Sequence, residues 1–353
     1  MALETEEGMM PPENHPALDR RPEMVSLERL KSLPVYFAPM EGYTGWLYRR
    51  IHQQYFPGID KYFTPFLSAN KNLTFHNRDK KDVAVENNRG VPVVPQIITN
   101  SPEHFVWAAE KLYSLGYGEV DLNMGCPSST VTAKRKGAGM LMDLAGLSDF
   151  FYRVFTMISG EGKQGIRVSV KTRLGYSNPE DSLDLAEILN LNPFSEVIVH
   201  PRVRADYYRE PVRMSYFEEL YRTLKAPLVY NGDIVTKKGL IELLSSYPDL
   251  PAVMIGRGLL INPALVREIR GGEPLGKEEL QHFFQDLYEG YVLDYGSERN
   301  ALFKMKDLWK FIILSFQENK RLFKAVVKAK SGAEYVQAAE AFFRETPLLS
   351  EKG

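Results

Sequence analysis

Eight short runs of β-forming residues recur along the chain, and this repetition constrains the fold more than any other feature of the sequence. Most of the runs are followed by polar turn residues and then by ten or more residues with helical periodicity. A parallel strand needs a crossover of about a dozen residues, usually a helix, to reach its neighbour. Eight such units predict an α/β fold of the (β/α)8, or TIM, barrel type. The runs are Val35–Ala38, Lys61–Phe66, Val91–Ile97, Glu119–Asn123, Arg167–Thr172, Glu196–His200, Pro227–Asn231 and Ala252–Gly256.

An open, doubly wound sheet is the competing topology for such a pattern. It usually carries a Gly-x-Gly-x-x-Gly motif after its first strand, and none follows the first run here. The sequence therefore favours the barrel, which we place at residues 31–270. A linker rich in Gly and Pro follows at residues 271–276, and residues 277–353 lack strand character. We expect those residues to form a smaller helical domain, and residues 1–30 to form an acidic extension.

The composition excludes several classes of protein. Hydrophobic residues make up 44% of the 353-residue chain and charged residues 25%, which is typical of a globular protein. No run of about 18 apolar residues is present, so we expect no membrane span. The first thirty residues also lack the apolar region of a secretory signal. A single cysteine allows neither an internal disulfide nor an iron–sulfur ligand set, and we expect no metal site and a cytoplasmic location.

Charge is distributed unevenly, although the net charge is only -1. Between residues 301 and 330 there are eight Lys and Arg residues against two acidic ones, Lys306 and Lys310 among them. Such a basic region is typical of a surface that contacts the phosphates of a nucleic acid. A solvated helix face is the alternative interpretation, and the sequence leaves it open.

Polar residues and glycines stand where the predicted strands end. In barrel enzymes the functional groups lie at the carboxyl ends of the strands, so these residues should surround one ligand. Each of them alone has an ordinary structural explanation, such as a capped loop or a turn. Glycines in the last two loops suit a phosphate bound by backbone N–H groups. The set comprises Pro39, Met40, Gln96, Asn123, Cys126, Lys171, Arg173, His200, Arg202, Asn231, Gly232, Asp233, Gly256 and Arg257.

Cys126 is the only cysteine, and it directly follows the fourth predicted strand. A thiol in that position can donate a proton to a ligand, because an unperturbed thiol is mostly protonated near neutral pH. The alternative is that Cys126 is a small buried apolar residue, as many free cysteines are.

Seven short motifs stand at or near the predicted strand ends. They are Ala38-Pro39-Met40, Asp121-Leu122-Asn123-Met124-Gly125-Cys126-Pro127, Arg135-Lys136-Gly137-Ala138-Gly139, Lys171-Thr172-Arg173, His200-x-Arg202, Asn231-Gly232-Asp233 and Gly256-Arg257-Gly258. Together these motifs resemble those of the tRNA-dihydrouridine synthase family. The resemblance covers roughly residues 34–270 closely and the helical region in outline, and its most specific part is the Asn-Met-Gly-Cys-Pro segment followed by Lys-Gly-Ala-Gly.

The resemblance implies an enzyme that uses FMN and NADPH to reduce the 5,6 double bond of particular uridines in tRNA. It implies that reduced flavin gives a hydride to C6 of uracil while Cys126 protonates C5 as general acid. Asn123 would bind the uracil edge, Arg173 and Arg202 would serve the substrate, and Lys306 and Lys310 would contact tRNA. The residues implied for the cofactor are Pro39, Met40, Gln96, Lys171, His200, Asn231, Gly232, Asp233, Gly256 and Arg257.

Two other functions remain open from the sequence. One is a flavin-dependent barrel that acts on a free pyrimidine, although such an enzyme has no need of a basic helical appendage. The other is a barrel that binds tRNA without turnover, although Cys126 and Lys171 are both intact. Departures from the commonest family pattern at Gly45, Met140 and Pro201 leave open which uridine is modified. No obligate protein partner is inferred.

Overall fold

The computed structural model describes residues 25–69, 72–160 and 165–349. Within them nine strands, labelled β1 to β9, form one parallel sheet whose strands fall within, or within a residue of, the eight predicted runs. The strands are β1 Val35–Phe37, β2 Lys61–Phe63, β3 Val93–Val94, β4 Gln96–Ile97, β5 Glu119–Met124, β6 Arg167–Arg173, β7 Val197–His200, β8 Leu228–Tyr230 and β9 Ala252–Ile255.

The extra strand arises because Pro95 divides the third predicted run into β3 and β4. Proline has no N–H group to donate to a neighbouring strand, so the ladder is interrupted at this residue. The strand order is β3-β2-β1-β9-β8-β7-β6-β5-β4, with β3 paired to β2 and β4 paired to β5. The divided strand therefore joins both edges of the sheet, and the predicted (β/α)8 barrel is confirmed.

Side chains alternate between the inside and the outside of the barrel, as the strand period of two requires. On β5, Val120 and Leu122 pack outward in the large hydrophobic core, whereas Asp121 and Asn123 are also buried and belong to neither apolar cluster. A second, smaller apolar cluster fills the barrel interior, and Ile198 and other residues of the strands form it. The polar residues of β5 thus lie on the inner face, where they point toward the axis of the barrel.

Helices α1 to α11 surround this sheet. The longest of them carry apolar residues toward the strands and are capped by side chains, as where Ser101 accepts a hydrogen bond from the N–H of His104. The helices are α1 Leu27–Ser32, α2 Trp46–Tyr55, α3 Asn77–Asp82, α4 Pro102–Ser114, α5 Ser129–Thr132, α6 Leu144–Ile158, α7 Asp181–Asn190, α8 Met214–Thr223, α9 Lys237–Ser246, α10 Arg257–Ile261 and α11 Leu265–Ile269. Short 3-10 helices span Val85–Asn88, Gly137–Met142 and Arg204–Asp206.

A polar cluster closes the amino-terminal end of the barrel. The ammonium of Lys61 pairs with the carboxylates of Glu119 and Glu196 at 3.0 and 2.8 Å, and Tyr36 donates a hydrogen bond to Glu196 at 2.6 Å. These residues lie at the opposite end from the side at which barrel enzymes carry their functional groups, so the cluster serves stability. Helix α1 lies on this side too, because Arg29 donates hydrogen bonds to carbonyl groups in the loop before β9.

The carboxyl-terminal region is helical, as the sequence predicts, and it packs directly against the barrel. Tyr48 of α2 contacts Phe283 of α12 edge to face at 5.8 Å, and Tyr55 donates a hydrogen bond to Asp286. One continuous hydrophobic core contains residues from both parts of the chain. The predicted linker at residues 271–276 lies in the turn between α11 and α12, and the hydrophobic core continues past it. The division of the chain into two domains therefore stays a prediction. The helices are α12 Lys277–Tyr295, α13 Glu298–Ile312, α14 Lys320–Lys328 and α15 Gly332–Glu345, with a 3-10 turn at Ile313–Ser315.

The part of residues 1–30 that the structure describes begins at Val25 and includes α1, whose Leu30 is buried; the rest of the predicted acidic extension lies outside the described residues. Among the helices of the described ranges, none has both the length and the apolar character needed to cross a bilayer.

Candidate active site

A cavity of about 380 Å³ opens at the carboxyl ends of the strands, where the sequence predicts the ligand. The structure brings thirteen of the sixteen predicted site residues to its walls and leaves out Arg202, Lys306 and Lys310. The thirteen are Pro39, Met40, Gln96, Asn123, Cys126, Lys171, Arg173, His200, Asn231, Gly232, Asp233, Gly256 and Arg257.

Strand register sets the height of these side chains in the barrel. Asn123 on β5 is the parallel partner of Lys171 on β6, and Arg173 on β6 is the partner of His200 on β7. Because neighbouring residues in register lie side by side, the four functional groups form two adjacent layers near the mouth of the barrel.

The thiol of Cys126 is held by a tight loop after β5. The side-chain oxygen of Asn123 accepts hydrogen bonds from the N–H groups of Gly125 and Cys126 at 3.2 and 2.9 Å. The carbonyl of Cys126 accepts a hydrogen bond from the N–H of Ala138 at 3.1 Å. Gly137 has φ +56°, and a Cβ atom there would meet the carbonyl oxygen and Cβ of Cys126 at 3.0 and 3.1 Å. The loop therefore requires glycine at position 137.

Partial burial affects the chemistry of this thiol. Cys126 is a free cysteine of intermediate exposure, and burial raises the pKa of its thiol, since the thiolate is the form that loses solvation. The group is thus protonated at neutral pH, which is the state that a proton donor needs.

A chain of hydrogen bonds runs beneath the cavity through the polar residues of β4, β5 and β6. Asn123 donates to Gln96 at 2.7 Å, Gln96 donates to Asp121 at 2.7 Å, and Ser169 donates to the other oxygen of Asp121 at 3.0 Å. The backbone N–H of Cys126 can only donate, so the group of Asn123 that faces the loop is its side-chain oxygen. The amide nitrogen of Asn123 then faces Gln96, and the orientation of the Gln96 amide follows in the same way. Burial raises the pKa of Asp121 to about 7.

Lys171 brings an amine to the same level of the barrel. Burial lowers its pKa to about 8, because the charged form is desolvated, and Arg173 nearby lowers it further. Within the described residues, its ammonium group has neither a hydrogen-bond partner nor a salt-bridge partner. The residue is half-buried in the cavity wall, so a ligand with an acceptor near Lys171 would give the ammonium group a partner.

His200 and Arg202 are linked through Asp233 to the rim of the cavity. Arg202 donates to Nε2 of His200 at 3.1 Å, and its guanidinium pairs with Asp233, which pairs also with Arg257. A guanidinium can only donate, so Nε2 of His200 accepts and the hydrogen of the neutral ring is on Nδ1. Burial and the surrounding cations lower the pKa of His200 well below its ordinary value, so the ring is neutral at pH 7.

Arg202 itself is only 3% exposed and lies behind His200 and Asp233 rather than in the cavity wall. The sequence predicts a substrate contact for this residue. The structure places it one layer deeper, where it positions His200 and Asp233. The backbone of Asp233 is in the left-handed region at φ +44°, which is strained for a residue other than glycine, and the two arginines hold it there.

Arg173 and Tyr208 form a second part of the rim. Arg173 donates to the carbonyls of Gly125 and Val203, at 2.9 Å in each case, so it ties the thiol loop to the loop after β7. The ring of Tyr208 lies between the guanidinium groups of Arg173 and Arg257, at 5.2 and 5.3 Å from its centre. Sequence reasoning missed Tyr208, although an aromatic residue in the loop after a barrel strand is a signal that could have identified it.

The helical region also contributes to the cavity. Phe311 of α13 is part of the wall and contacts Tyr43, in the loop after β1, edge to face at 5.1 Å. The sequence predicts Phe311 neither as a site residue nor as a contact of that loop. No sequence signal could have found this contact, because it depends on how α13 packs across the end of the barrel.

The two lysines predicted to contact tRNA lie on α13 but outside the cavity. Lys306 donates to the carbonyl of Ala329 at 2.6 Å, inside the helical region, whereas Lys310 is 64% exposed and pairs with Asp307. Of the two, Lys310 is therefore the more exposed to solvent.

The residues around the cavity fit a flat cofactor with a phosphate. Three basic side chains, Lys171, Arg173 and Arg257, line it against the acidic Asp233 and Glu41. Gly258 allows close packing of the last loop, since a Cβ atom there would meet the carbonyl of Ile234 at 2.3 Å. An excess of positive charge beside glycine-rich loops suits an anionic phosphate group.

A parallel barrel with its cavity, thiol and basic groups at the carboxyl ends of the strands defines this protein as a TIM-barrel enzyme. Among solved structures, the chain is similar to morphinone reductase with a TM-score of 0.50 and 14% sequence identity, covering 70% of this chain and 90% of that one. A structural similarity at such low sequence identity is evidence for the fold alone, and it confirms the barrel.

The family model for dihydrouridine synthase matches residues 36–346, so the chain belongs to the dihydrouridine synthase family. It is 27% identical over 278 residues to a tRNA-dihydrouridine(16) synthase of Pseudomonas syringae pv. tomato, covering 74% of this chain and 84% of that relative. It is 26% identical over 330 residues to tRNA-dihydrouridine synthase B of Pasteurella multocida, covering 90% and 95%. The family membership expected from the sequence motifs is thereby confirmed.

Proposed function

We propose that this protein is a tRNA-dihydrouridine synthase that binds FMN, is reduced by NADPH, and reduces the 5,6 double bond of particular uridines in tRNA. The observation that carries the proposal is the single cavity that brings Cys126, Asn123 and Lys171 together. Family membership and the names of the relatives support the same reaction. The reduced thiol that the reaction needs also favours a cytoplasmic location.

When bound in this cavity, FMN would supply hydride chemistry toward C6 of uracil. The protein supplies the proton: the S–H bond of Cys126 breaks, and the proton goes to C5, so that hydride and proton together complete the reduction of the double bond. Burial keeps the pKa of Cys126 raised, so the donor is in its acid form before the reaction. Asn123 orients the base beside the thiol, because its side chain is fixed to the thiol loop.

The remaining cavity residues would hold the cofactor. Lys171 and the N–H at Nδ1 of His200 would supply hydrogen-bond donors, and Arg257 would supply positive charge for the phosphate. Gln96 takes part through the chain of hydrogen bonds that orients Asn123. Arg202 acts as a positioning residue for His200 and Asp233.

The target uridine must leave its base stack to reach a cavity inside a barrel mouth. The exposed cations of the helical region, Lys310 and Lys324 among them, would bind phosphates and position the RNA. Lys306 would contribute to the fold of that region rather than to RNA contact, because its ammonium is bound to Ala329.

The decisive experiment reduces the flavin of the purified protein anaerobically with NADPH and follows its visible absorbance after a second substrate is added. Reoxidation by unmodified tRNA, with dihydrouridine formed, supports the proposal. Reoxidation by free uracil or orotate instead would indicate an enzyme of small-molecule metabolism. A protein that binds tRNA but no flavin would be a binding barrel without turnover.

A further inference from the structure

A second cavity, of about 320 Å³, lies between the barrel and the helical region. Glu41 and Pro65 belong to the walls of both this cavity and the active-site cavity, so the two are neighbours. None of the sixteen residues predicted from the sequence lines it. We call it the interdomain cavity; its walls come from the loop after β1 and from α2, α3, α12 and α13.

Aromatic and aliphatic side chains form one part of the walls of the interdomain cavity. Tyr291 and Tyr295 of α12 stack with their ring centres 5.6 Å apart and an interplanar angle of 14°. Trp46 and Leu47 of α2 and Pro65 complete the apolar surface. Tyr295 is 41% exposed, so its ring is accessible to a ligand, whereas Tyr291 behind it is buried. Such an arrangement suits a flat ring that stacks on tyrosine.

The charges around the interdomain cavity are balanced. Arg78 pairs with Glu41, Lys81 pairs with Asp294, and the Asp82 carboxylate is bound by Arg49 beneath the cavity. Lys304 donates to the carbonyl of Gly42 and lies 5.6 Å from the centre of the Tyr291 ring. Three basic and three acidic side chains line the cavity, which therefore does not select for an anion. An uncharged planar group fits it better than a phosphate does.

Helix α13 connects the two cavities. Phe311 is part of the wall of the active-site cavity and Lys304 is part of the wall of the interdomain cavity. The two residues are seven positions apart, which places them on the same side of the helix and about 10 Å apart along its axis. A single RNA strand that entered the active-site cavity along this side of α13 would also pass the interdomain cavity.

We propose that the interdomain cavity binds the base of a nucleotide next to the uridine that is reduced, stacked on Tyr295. This inference rests on the proposed function, because it takes tRNA as the substrate. Unpaired bases are commonly bound by stacking on aromatic side chains, and such stacking tolerates any base. The cavity would hold the strand in place while the target base is in the barrel, and so would contribute to substrate affinity rather than to the chemical step.

The test combines a protein variant with an RNA change. Tyr295→Ala removes the stacking ring at a partly exposed position, and Tyr295→Phe keeps it. Tyr152→Ala, an exposed tyrosine on α6, is the matched control for loss of a surface aromatic residue. The uridine that the unaltered protein reduces is first mapped in the tRNA product. Each protein, loaded with FMN, is then titrated with the unmodified tRNA and with two transcripts that lack the base on one side or the other of that uridine. Dihydrouridine formation is measured on the same samples.

We expect Tyr295→Ala to weaken tRNA affinity about 5- to 100-fold, the loss of one stacked base, with the rate at saturating tRNA nearly unchanged. One of the abasic transcripts should bind the unaltered protein more weakly than intact tRNA does, by a similar factor. The same transcript should bind Tyr295→Ala about as well as it binds the unaltered protein. Tyr295→Phe and Tyr152→Ala should behave like the unaltered protein.

Equal losses from the abasic change in the unaltered protein and in Tyr295→Ala would overturn the inference while leaving the proposed function intact. A higher KM for NADPH in Tyr295→Ala, with tRNA affinity unchanged, would assign the cavity to the adenine of the dinucleotide and would also overturn it. Failure of the unaltered protein to bind or reduce any tRNA would refute the proposed function, and the inference with it.

Discussion

The side-chain oxygen of Asn123 accepts a hydrogen bond from the backbone N–H of Cys126 at 2.9 Å, so the residue assigned to the base and the residue that carries the thiol form one unit. The same amide is bound through Gln96 to Asp121, which is buried inside the barrel. The position of the thiol relative to a bound base is therefore set by the strand framework of the barrel and not by a free loop.

Replacing Cys126 with alanine should separate the two halves of the proposed reaction. Cys126→Ala should bind flavin and oxidise NADPH as before, but uridine reduction should fall at least about 100-fold, the usual contribution of a general acid. Cys126→Ser is the matched control for size. We expect this variant also to reduce uridine slowly, because a serine hydroxyl is a poorer acid than a thiol. A dihydrouridine yield in Cys126→Ala equal to that of the unaltered protein would remove the acid role.

The raised pKa of Cys126 also predicts a pH profile. Because burial raises the pKa above the ordinary value of 9.0, the thiol should remain protonated throughout the neutral range and lose its proton only in more alkaline solution. The single-turnover rate of uridine reduction by pre-reduced enzyme should thus show no loss attributable to the thiol between pH 7 and 8.5. A fall in that rate centred near pH 7 that is absent from Asp121→Asn would point instead to the buried carboxyl.

Asp121→Asn should change the pH dependence of stability without breaking the hydrogen-bond chain. The asparagine can still accept from Gln96 and can donate to the hydroxyl of Ser169. The pKa of Asp121 is about 7 in the folded protein, above the ordinary value of 3.8, so the folded state holds a proton that the unfolded state releases. Its contribution to stability is therefore full below pH 3.8 and is lost as the pH rises toward 7.

The measurement is the melting temperature of both proteins between pH 5 and 7, below the pH at which Lys171 titrates. The unaltered protein should lose stability relative to Asp121→Asn over this range, by a few kcal/mol at most. Parallel pH curves for the two proteins would show that Asp121 does not titrate there.

Arg202→Lys should weaken the cofactor site although Arg202 is not in the cavity wall. A lysine keeps the charge, but its donors all leave one nitrogen, so it cannot reproduce the two-pronged pairing of the planar guanidinium with Asp233 together with the bond to Nε2 of His200. We expect flavin to bind about 10-fold or more weakly, as for other residues that orient a site from behind. Flavin retention on dilution, followed by absorbance, measures this; unchanged retention would show that the orientation of His200 does not depend on Arg202.

The lysines of the helical region should separate into two groups. Lys310→Glu together with Lys324→Glu should weaken tRNA binding and reduce the dependence of affinity on salt, since both positions are exposed. Lys306→Met should leave the salt dependence unchanged and lower the melting temperature, because it removes the hydrogen bond to Ala329. Binding titrations at several salt concentrations test both statements. If the double charge reversal leaves the salt dependence of binding unchanged, these lysines are ordinary solvated charges that do not contact tRNA.

Much of the barrel was predictable because strand periodicity and strand ends are local properties of the sequence. The residues from Pro39 to Arg257 that end successive strands had to meet at one rim once the sheet closed, and all but Arg202 line the cavity. The break at Pro95 follows from the missing N–H of proline, although the β-forming residues of Val91–Ile97 predict one strand.

What the sequence could not supply depends on packing between distant parts of the chain. The depth of Arg202 is decided by its pairing with Asp233, thirty-one residues later. The place of Phe311 in the wall, and the existence of the interdomain cavity, depend on how α12 and α13 lie against α2 and the loop after β1. Helical periodicity predicts which residues of α13 share a face, but it does not predict what that face meets.

The continuous core between the barrel and the carboxyl-terminal helices has a consequence for how substrate enters. Swinging the helices about residues 271–276 would separate Tyr48 from Phe283 and expose apolar surface to water, which is costly. The two walls of the entrance are accordingly held at a fixed spacing. The RNA is then the partner that must deform to deliver a base, so a transcript whose target loop is locked by added base pairs should be a poor substrate even when its sequence is intact.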